Sequence, residues 1–250
     1  MMDVYEKMVL KKVSQFESTF KTDSEMNMWS KKIQQKVDGL IPRRIHQSLA
    51  VAFEKGIKAF LQGLNLYYVD QPNKKEGHYS LHILTEEAEQ IVRNYTKIAS
   101  IEGAGTGFGG FIASTIDFPA LISIKLKMLQ ELAVHFGYSM ENLEERIFLI
   151  KVLQLQFSKG ECKRKTWEEI KNWEKNAVFQ EWSSWEDFNW EEFYMEYKQS
   201  IELLKLFQML PGLGAVVGAV ANHSFVLELG NTAILSFQLR KIQEIQGNLL

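Results

Sequence analysis

The chain has 250 residues, 46% of them hydrophobic and 24% charged, with 29 Lys and Arg against 31 Asp and Glu for a net charge of −2. That is too apolar for a disordered chain, and a single cysteine rules out a disulfide scaffold. The near-neutral balance excludes nucleic acid as the main partner, because such binding leans on a basic excess, while the length suits one substantial core or two small ones.

The first residues carry Asp3 and Glu6 where a secretory leader would be positive, and no apolar run of about 7–15 residues follows, so the chain is expected to start in the cytosol. Residues 3–20 place Tyr5, Met8, Val9, Lys12, Val13, Phe16 and Phe20 at helical spacing. A second helix is expected through Trp29, Ile33, Val37 and Leu40. Pro42 then opens a third that buries Ile45, Leu49, Phe53, Ile57, Phe60 and Leu64. Residues 1–60 hold 11 basic against 7 acidic side chains. This basic, amphipathic start suits either an anionic membrane surface, with Lys31, Lys32, Arg43 and Arg44 as contact candidates, or an ordinary core-facing layer.

Residues 65–84 read as a turn-rich loop around Pro72 and Gly77, and Thr85 with Glu86 and Glu87 reads as the N-cap of a helix reaching about Ile101. Five glycines follow in the eight residues Gly103–Gly110. No Gly-Lys-Ser/Thr follows them and a helix precedes them, so neither phosphate-binding fingerprint is met, and close packing or a hinge is the reading. Asp117-Phe118-Pro119 reads as a helix start, with Asp117 as cap or as a functional carboxylate. The helix through Leu121, Lys125, Met128, Leu132 and His135 should end at Gly137. Ser139 is expected to cap the next, through Leu143, Ile147, Ile150, Leu153 and Phe157, with Glu144, Glu145 and Arg146 facing water or caps. Cys162, in a polar run, reads as an exposed bystander.

Residues 161–200 hold five of the six tryptophans, Trp167, Trp173, Trp182, Trp185 and Trp190, and 10 acidic against 6 basic side chains. The pairs Thr166/Glu169 and Ser183/Glu186 read as capping boxes of short helices. The indoles either form a peripheral docking surface or cover the bundle. From Leu206 to Leu227, 22 residues carry no charge. That length, ~33 Å as helix, could span a bilayer. Pro211, Asn222, His223 and Ser224 argue instead for buried helices or reversible insertion, and Gly214-x-x-x-Gly218 supports close helix packing.

Chemistry is sparse. Glu131 and His135 lie four apart and share a helix face, but two ligands are not a metal site, and no cofactor or metal is expected. Asp117, Glu131, His135, Asn222 and His223 could serve acid–base work if the two Gly-rich segments pack together. No nucleophile elbow, zinc-protease helix or Cys–His arrangement is visible.

The ordered set Ile98–Gly110, Asp117–Leu121, Lys125–Ala133, His135–Tyr138, Glu144–Leu149, Gln154–Phe157 and Leu210–Asn222, with Val4-Tyr5-Glu6 and Ile41-Pro42, resembles the EcsC family, in particular its Bacillus branch. The resemblance spans nearly the whole chain. It implies a helical protein without agreed catalytic residues; Asp117, Glu131, Gly218 and Asn222 fall within the family's pattern. The family is named for a gene beside those of an ABC-transporter ATPase and its membrane subunit, which implies an accessory role at the cytoplasmic face of the membrane. The expectation is therefore one all-α domain over 1–250, a single multi-helix bundle of about eight to ten helices. Two central Gly-rich apolar hairpins should form its middle, and residues 161–200 its periphery. The leading function is a non-enzymatic accessory protein of an ABC-type exporter. The alternatives are a metal- or acid–base-dependent hydrolase on lipid or peptide at the membrane surface, and a soluble interaction scaffold.

Overall fold

A computed structural model describes residues 2–37, 51, 54–63, 80–107, 118–174, 193 and 214–247, with side chains over 2–20, 51, 54–63, 80–101, 122–174, 193 and 223–247. Seven helices and no strand occur among the described residues. They are α1 (Val4–Val37), α2 (54–61), α3 (Leu81–Gly107), α4 (Phe118–His135), α5 (Leu143–Phe157), α6 (Gly160–Lys171) and α7 (Gly214–Gly247). The all-α bundle expected from the spacing is what forms.

Several boundaries differ from the sequence reading. The first two expected helices are one, α1, because nothing between Phe20 and Trp29 breaks it. Its start is fixed by a reciprocal capping box: the Glu6 amide donates to the Asp3 carboxylate (2.7 Å) and the Asp3 amide to the Glu6 carboxylate (2.9 Å). α3 begins at Leu81, so Thr85 is not its cap. Ser80 precedes the helix and accepts from the Ile83 amide, while the buried Thr85 hydroxyl donates to the Leu81 carbonyl. α3 also runs on through Gly107, beyond the Ile101 expected. α4 starts at Phe118 with Pro119 in its first turn. It ends in a Schellman turn: Gly137 has φ +91°, the Tyr138 amide donates to Ala133 and the Gly137 amide to Val134. Ser139 does not cap α5, which starts at Leu143 behind Asn142 without a side-chain cap. Thr166 is no cap either, since it lies buried in the middle of α6.

α7 and α3 are the principal pair, and they run antiparallel. Gln238 meets Thr85 near one end, and Gly230 meets Val92 about two turns further on. A Cβ on Gly230 would stand 2.5 Å from both Val92 methyls, so the backbones touch there as only a glycine permits. Carried along both helices at ~1.5 Å per residue, this register sets the Gly103–Gly107 end of α3 level with the first turns of α7. α4 returns along α3, with Tyr95 bonded to Glu131 and His135 to the Leu84 carbonyl.

α5 is enclosed on nearly every side. Ile147, Phe148, Leu149, Ile150, Val152, Leu153, Leu155 and Phe157 are all buried, a pattern apolar all round rather than along one stripe. Phe148 packs on Phe237 of α7 and edge-on to Trp173, and Phe237 stacks with Phe136 and Tyr138. α6 and α1 close one flank. No described helix is long and apolar enough to cross a membrane.

Candidate functional site

Of the two expectations for Arg146, water or a capping role, the structure gives the second. The side chain is buried, and its guanidinium donates to the carbonyls of Leu61 (3.0 Å), Met140 and Glu141 (both 2.7 Å), so it closes the end of α2 and holds the turn before α5. That turn displaces the start of α5 from Ser139 to Leu143. Burial lowers the Arg146 pKa from its ordinary value.

Glu145 is also turned inward. It accepts a two-pronged bond from Arg240 of α7 (2.7 and 2.9 Å). Arg240 is only 3% exposed; its Nε donates to Glu174 (2.8 Å), and its plane lies 3.9 Å from the Tyr138 ring centre. Burial works against the Arg240 charge, but the bonds from Glu145 and the nearby carboxylates outweigh it and raise its pKa. Tyr138 donates to Glu244 (2.7 Å), and burial raises its pKa despite the Arg240 charge. This cluster ties α5, α7 and the end of α6 together with every partner engaged, which makes it a clamp rather than a reaction centre.

Lys125 of α4 is different. It is 9% exposed, its Nζ lies 4.9 Å from the Phe157 ring centre and 5.2 Å from that of Phe225, and no described acceptor oxygen reaches it. Burial pulls its pKa down to about 8, partly opposed by the Glu228 carboxylate.

Beside Glu228 the surface opens into a groove of about 790 Å³ between the α1/α6 pair and the α3/α7 pair. Phe16, Leu227, Ile234 and Leu235 supply its apolar floor. Lys12 of α1 and Lys163 of α6 stand on one side, Glu89 of α3 and Glu228 of α7 on the other. One end is closed by Gln238, whose amide donates to Thr85 (2.7 Å) and Tyr5 (3.3 Å). Beside the other end, Phe16 packs edge-on to Trp167, whose indole donates to Glu17 (2.9 Å). Burial pushes the Glu17 carboxyl up, but the bonds from Trp167 and Lys171 outweigh it and leave its pKa lowered.

The residues singled out from the sequence do not converge on this groove. Glu131 and His135 are engaged between helices: Glu131 accepts from Tyr95 (2.8 Å), and His135 Nε2 lies 2.8 Å from the Leu84 carbonyl. His223 is exposed on α7. Asn222, Lys31 and Lys32 lie on helices whose side chains there are not described; Asp117, Arg43 and Arg44 lie outside the described residues. Among the described residues, no group of three or more His, Cys, Asp or Glu is placed to hold a metal ion. Trp167 and Trp173 are 1% and 2% exposed, so these two indoles cover the bundle and present no docking surface; Trp182, Trp185 and Trp190 lie outside the described residues. Cys162 is half-buried near Ser158 and Thr166. The groove went unseen because its lining comes from four helices separated in sequence, and no local spacing marks it.

Fold and site together define an all-α bundle with an internal ionic clamp and a charged, amphipathic surface groove. The chain belongs to the EcsC protein family, whose sequence profile matches residues 7–242. It is 37% identical over 225 residues to Protein EcsC of Bacillus subtilis (strain 168), covering 90% of this chain and 91% of that protein. It is 34% identical over 164 residues to Uncharacterized protein YdbA of the same organism, covering 66% of this chain and 60% of that protein. No solved structure matches the chain.

Proposed function

We propose that the chain is a non-enzymatic accessory protein that attaches to the cytoplasmic face of the membrane and serves an ABC-type exporter. The observation that carries the attachment is the outer face of α1. Val4 and Met8 are exposed there, 85% and 45%, beside the exposed cations Lys7 and Lys11. Apolar side chains interleaved with lysines on a surface helix suit the boundary of an anionic bilayer. The exporter connection rests on membership of the EcsC family and the gene neighbourhood that family implies. The engagement of Glu131 and His135 in helix contacts supports a binding role over acid–base catalysis.

Flotation of the purified protein with neutral and anionic vesicles tests the attachment. Binding to anionic vesicles alone, lost at high salt and weakened by Lys7→Glu with Lys11→Glu, is expected. No binding to either vesicle type would remove it. The same comparison with Lys31, Lys32, Arg43 and Arg44 changed to Glu shows how far the basic surface extends. The exporter reading is tested by cross-linking in native membranes, where recovery of neither transporter subunit would remove it.

A further inference from the structure

We infer that the groove between the α1/α6 and α3/α7 pairs is a docking site for an amphipathic helical segment of a partner protein, its apolar stripe flanked by acidic side chains on one edge and basic side chains on the other. The inference deepens the accessory role proposed above by naming the chemistry of its partner. α7 runs along the groove from Ser224 to Gln238, ~21 Å of helix, so a partner segment of about four turns matches its length. Leu227 and Ile234 lie seven residues apart on one face of α7 and offer two apolar seats two turns apart. That is the spacing of i and i+7 anchors on an incoming helix.

The rest of the lining decides the occupant. A lipid chain or a small apolar ligand would fill the apolar floor but leave Lys12, Lys163, Glu89 and Glu228, with Asn231 beside them, without a counterpart. Lys12 and Lys163 stand on the α1/α6 side, Glu89 and Glu228 on the α3/α7 side. An anionic bilayer would meet the α3/α7 carboxylates with its own sign, whereas a helix with opposite charges on its two edges satisfies both walls.

Three synthetic 16-residue helical peptides with one leucine stripe test this by fluorescence anisotropy on the full chain: one acidic on one edge and basic on the other, one acidic on both, one basic on both. The mixed peptide is expected to bind about five-fold or more tightly than either single-sign peptide, the scale of a few exposed ion pairs. In Lys12→Glu/Lys163→Glu the walls share one sign, and the preference should pass to the all-basic peptide. Circular dichroism of the variant confirms that the fold survives. Equal binding of the three peptides, binding of none, or an unchanged preference in the variant overturns the docking site. Vesicles that block modification of Lys12 and Lys163 while no peptide binds would make the groove a membrane face instead. The vesicle result with Lys7→Glu/Lys11→Glu is read separately, so failure here leaves the attachment reading standing.

Discussion

A lysine ammonium between two phenylalanine rings is costly unless an acceptor oxygen reaches it. For Lys125 only the Glu228 carboxylate offsets the burial, and its pKa falls from 10.5 to about 8. The sign of the linkage follows. Below pH 8 the amine is protonated in both folded and unfolded chains, and the burial penalty is fully present. Between about 8 and 10.5 the unfolded chain holds the proton more tightly than the folded one, so stability rises with pH. Tyr138, whose pKa is raised by burial, works the other way above about pH 10, where the unfolded phenol ionises and the folded one does not. Denaturant melts between pH 7 and 9.5 should therefore show a gain in stability from this lysine. Lys125→Met should abolish that gain and stabilise the protein at pH 7 by up to about 3 kcal/mol. A variant as pH-dependent as the parent would show that the amine is better solvated than its surroundings indicate. Arg240 is the opposite case, a buried cation with its acceptors in place. Arg240→Ala leaves the largely enclosed Glu145 carboxylate without its partner, and urea titration should register a loss of about 3 kcal/mol. Arg240→Lys should recover little, because a point charge cannot reproduce the two-pronged bond. Neither residue announced itself in the sequence. Lys125 was one polar member of an amphipathic repeat, and nothing local marks Arg240 as buried, because its burial is decided by α5, a helix almost 100 residues away.

Helix spacing predicted the elements well where each helix stops for a local reason. The end of α4 at Gly137 is written in the glycine itself, and Pro119 lies in the first turn of the same helix. Starts were misread where a capping pattern falls inside a helix, as at Thr85 and Thr166. Both hydroxyls are buried within their helices, and a hydroxyl can turn back on its own helix rather than cap it, as Thr85 does toward the Leu81 carbonyl. The close approach of α3 and α7 at Gly230 went unread for another reason: Gly230 sits in a run without charges, and nothing local says that Val92 presses against it. Gly230→Ala places a methyl where the Val92 side chain already stands, so the helices must part. A drop of about 1–3 kcal/mol is expected. Val92→Ala in the same chain should return part of it. A double-mutant cycle with coupling near zero would mean that the two backbones separate without resistance.

In the whole molecule, burial is distributed unevenly, and that distribution bears on function. α5 is enclosed by its neighbours, and its first turn is held by Arg146 through three carbonyls and by Glu145 through Arg240. α1 is different: over its described side chains one face packs while Lys7, Met8, Lys11, Lys12, Ser14 and Gln15 remain exposed. Its described polar tethers are few, chiefly Tyr5 to Gln238 and Glu17 to Trp167 and Lys171. The all-α class and the single bundle were legible because apolar residues recur at helical spacing through most of the chain. The groove was not legible, since it exists only where α1 stands away from α7, and standoff between helices has no signature in either one. The same unevenness orders local stability. Amides of α5 open only when the core opens, while α1 can lift from α6 and α7 at a smaller cost. Native-state hydrogen exchange should find the slowest amides in α5 and those of residues 8–20 of α1 at least about a hundred-fold faster, a gap of roughly 3 kcal/mol. A peptide or vesicle that engages α1 should then slow the α1 amides selectively. Equal protection of α1 and α5 in the free protein would show that the groove wall is as fixed as the core, and that any partner must enter it without moving α1.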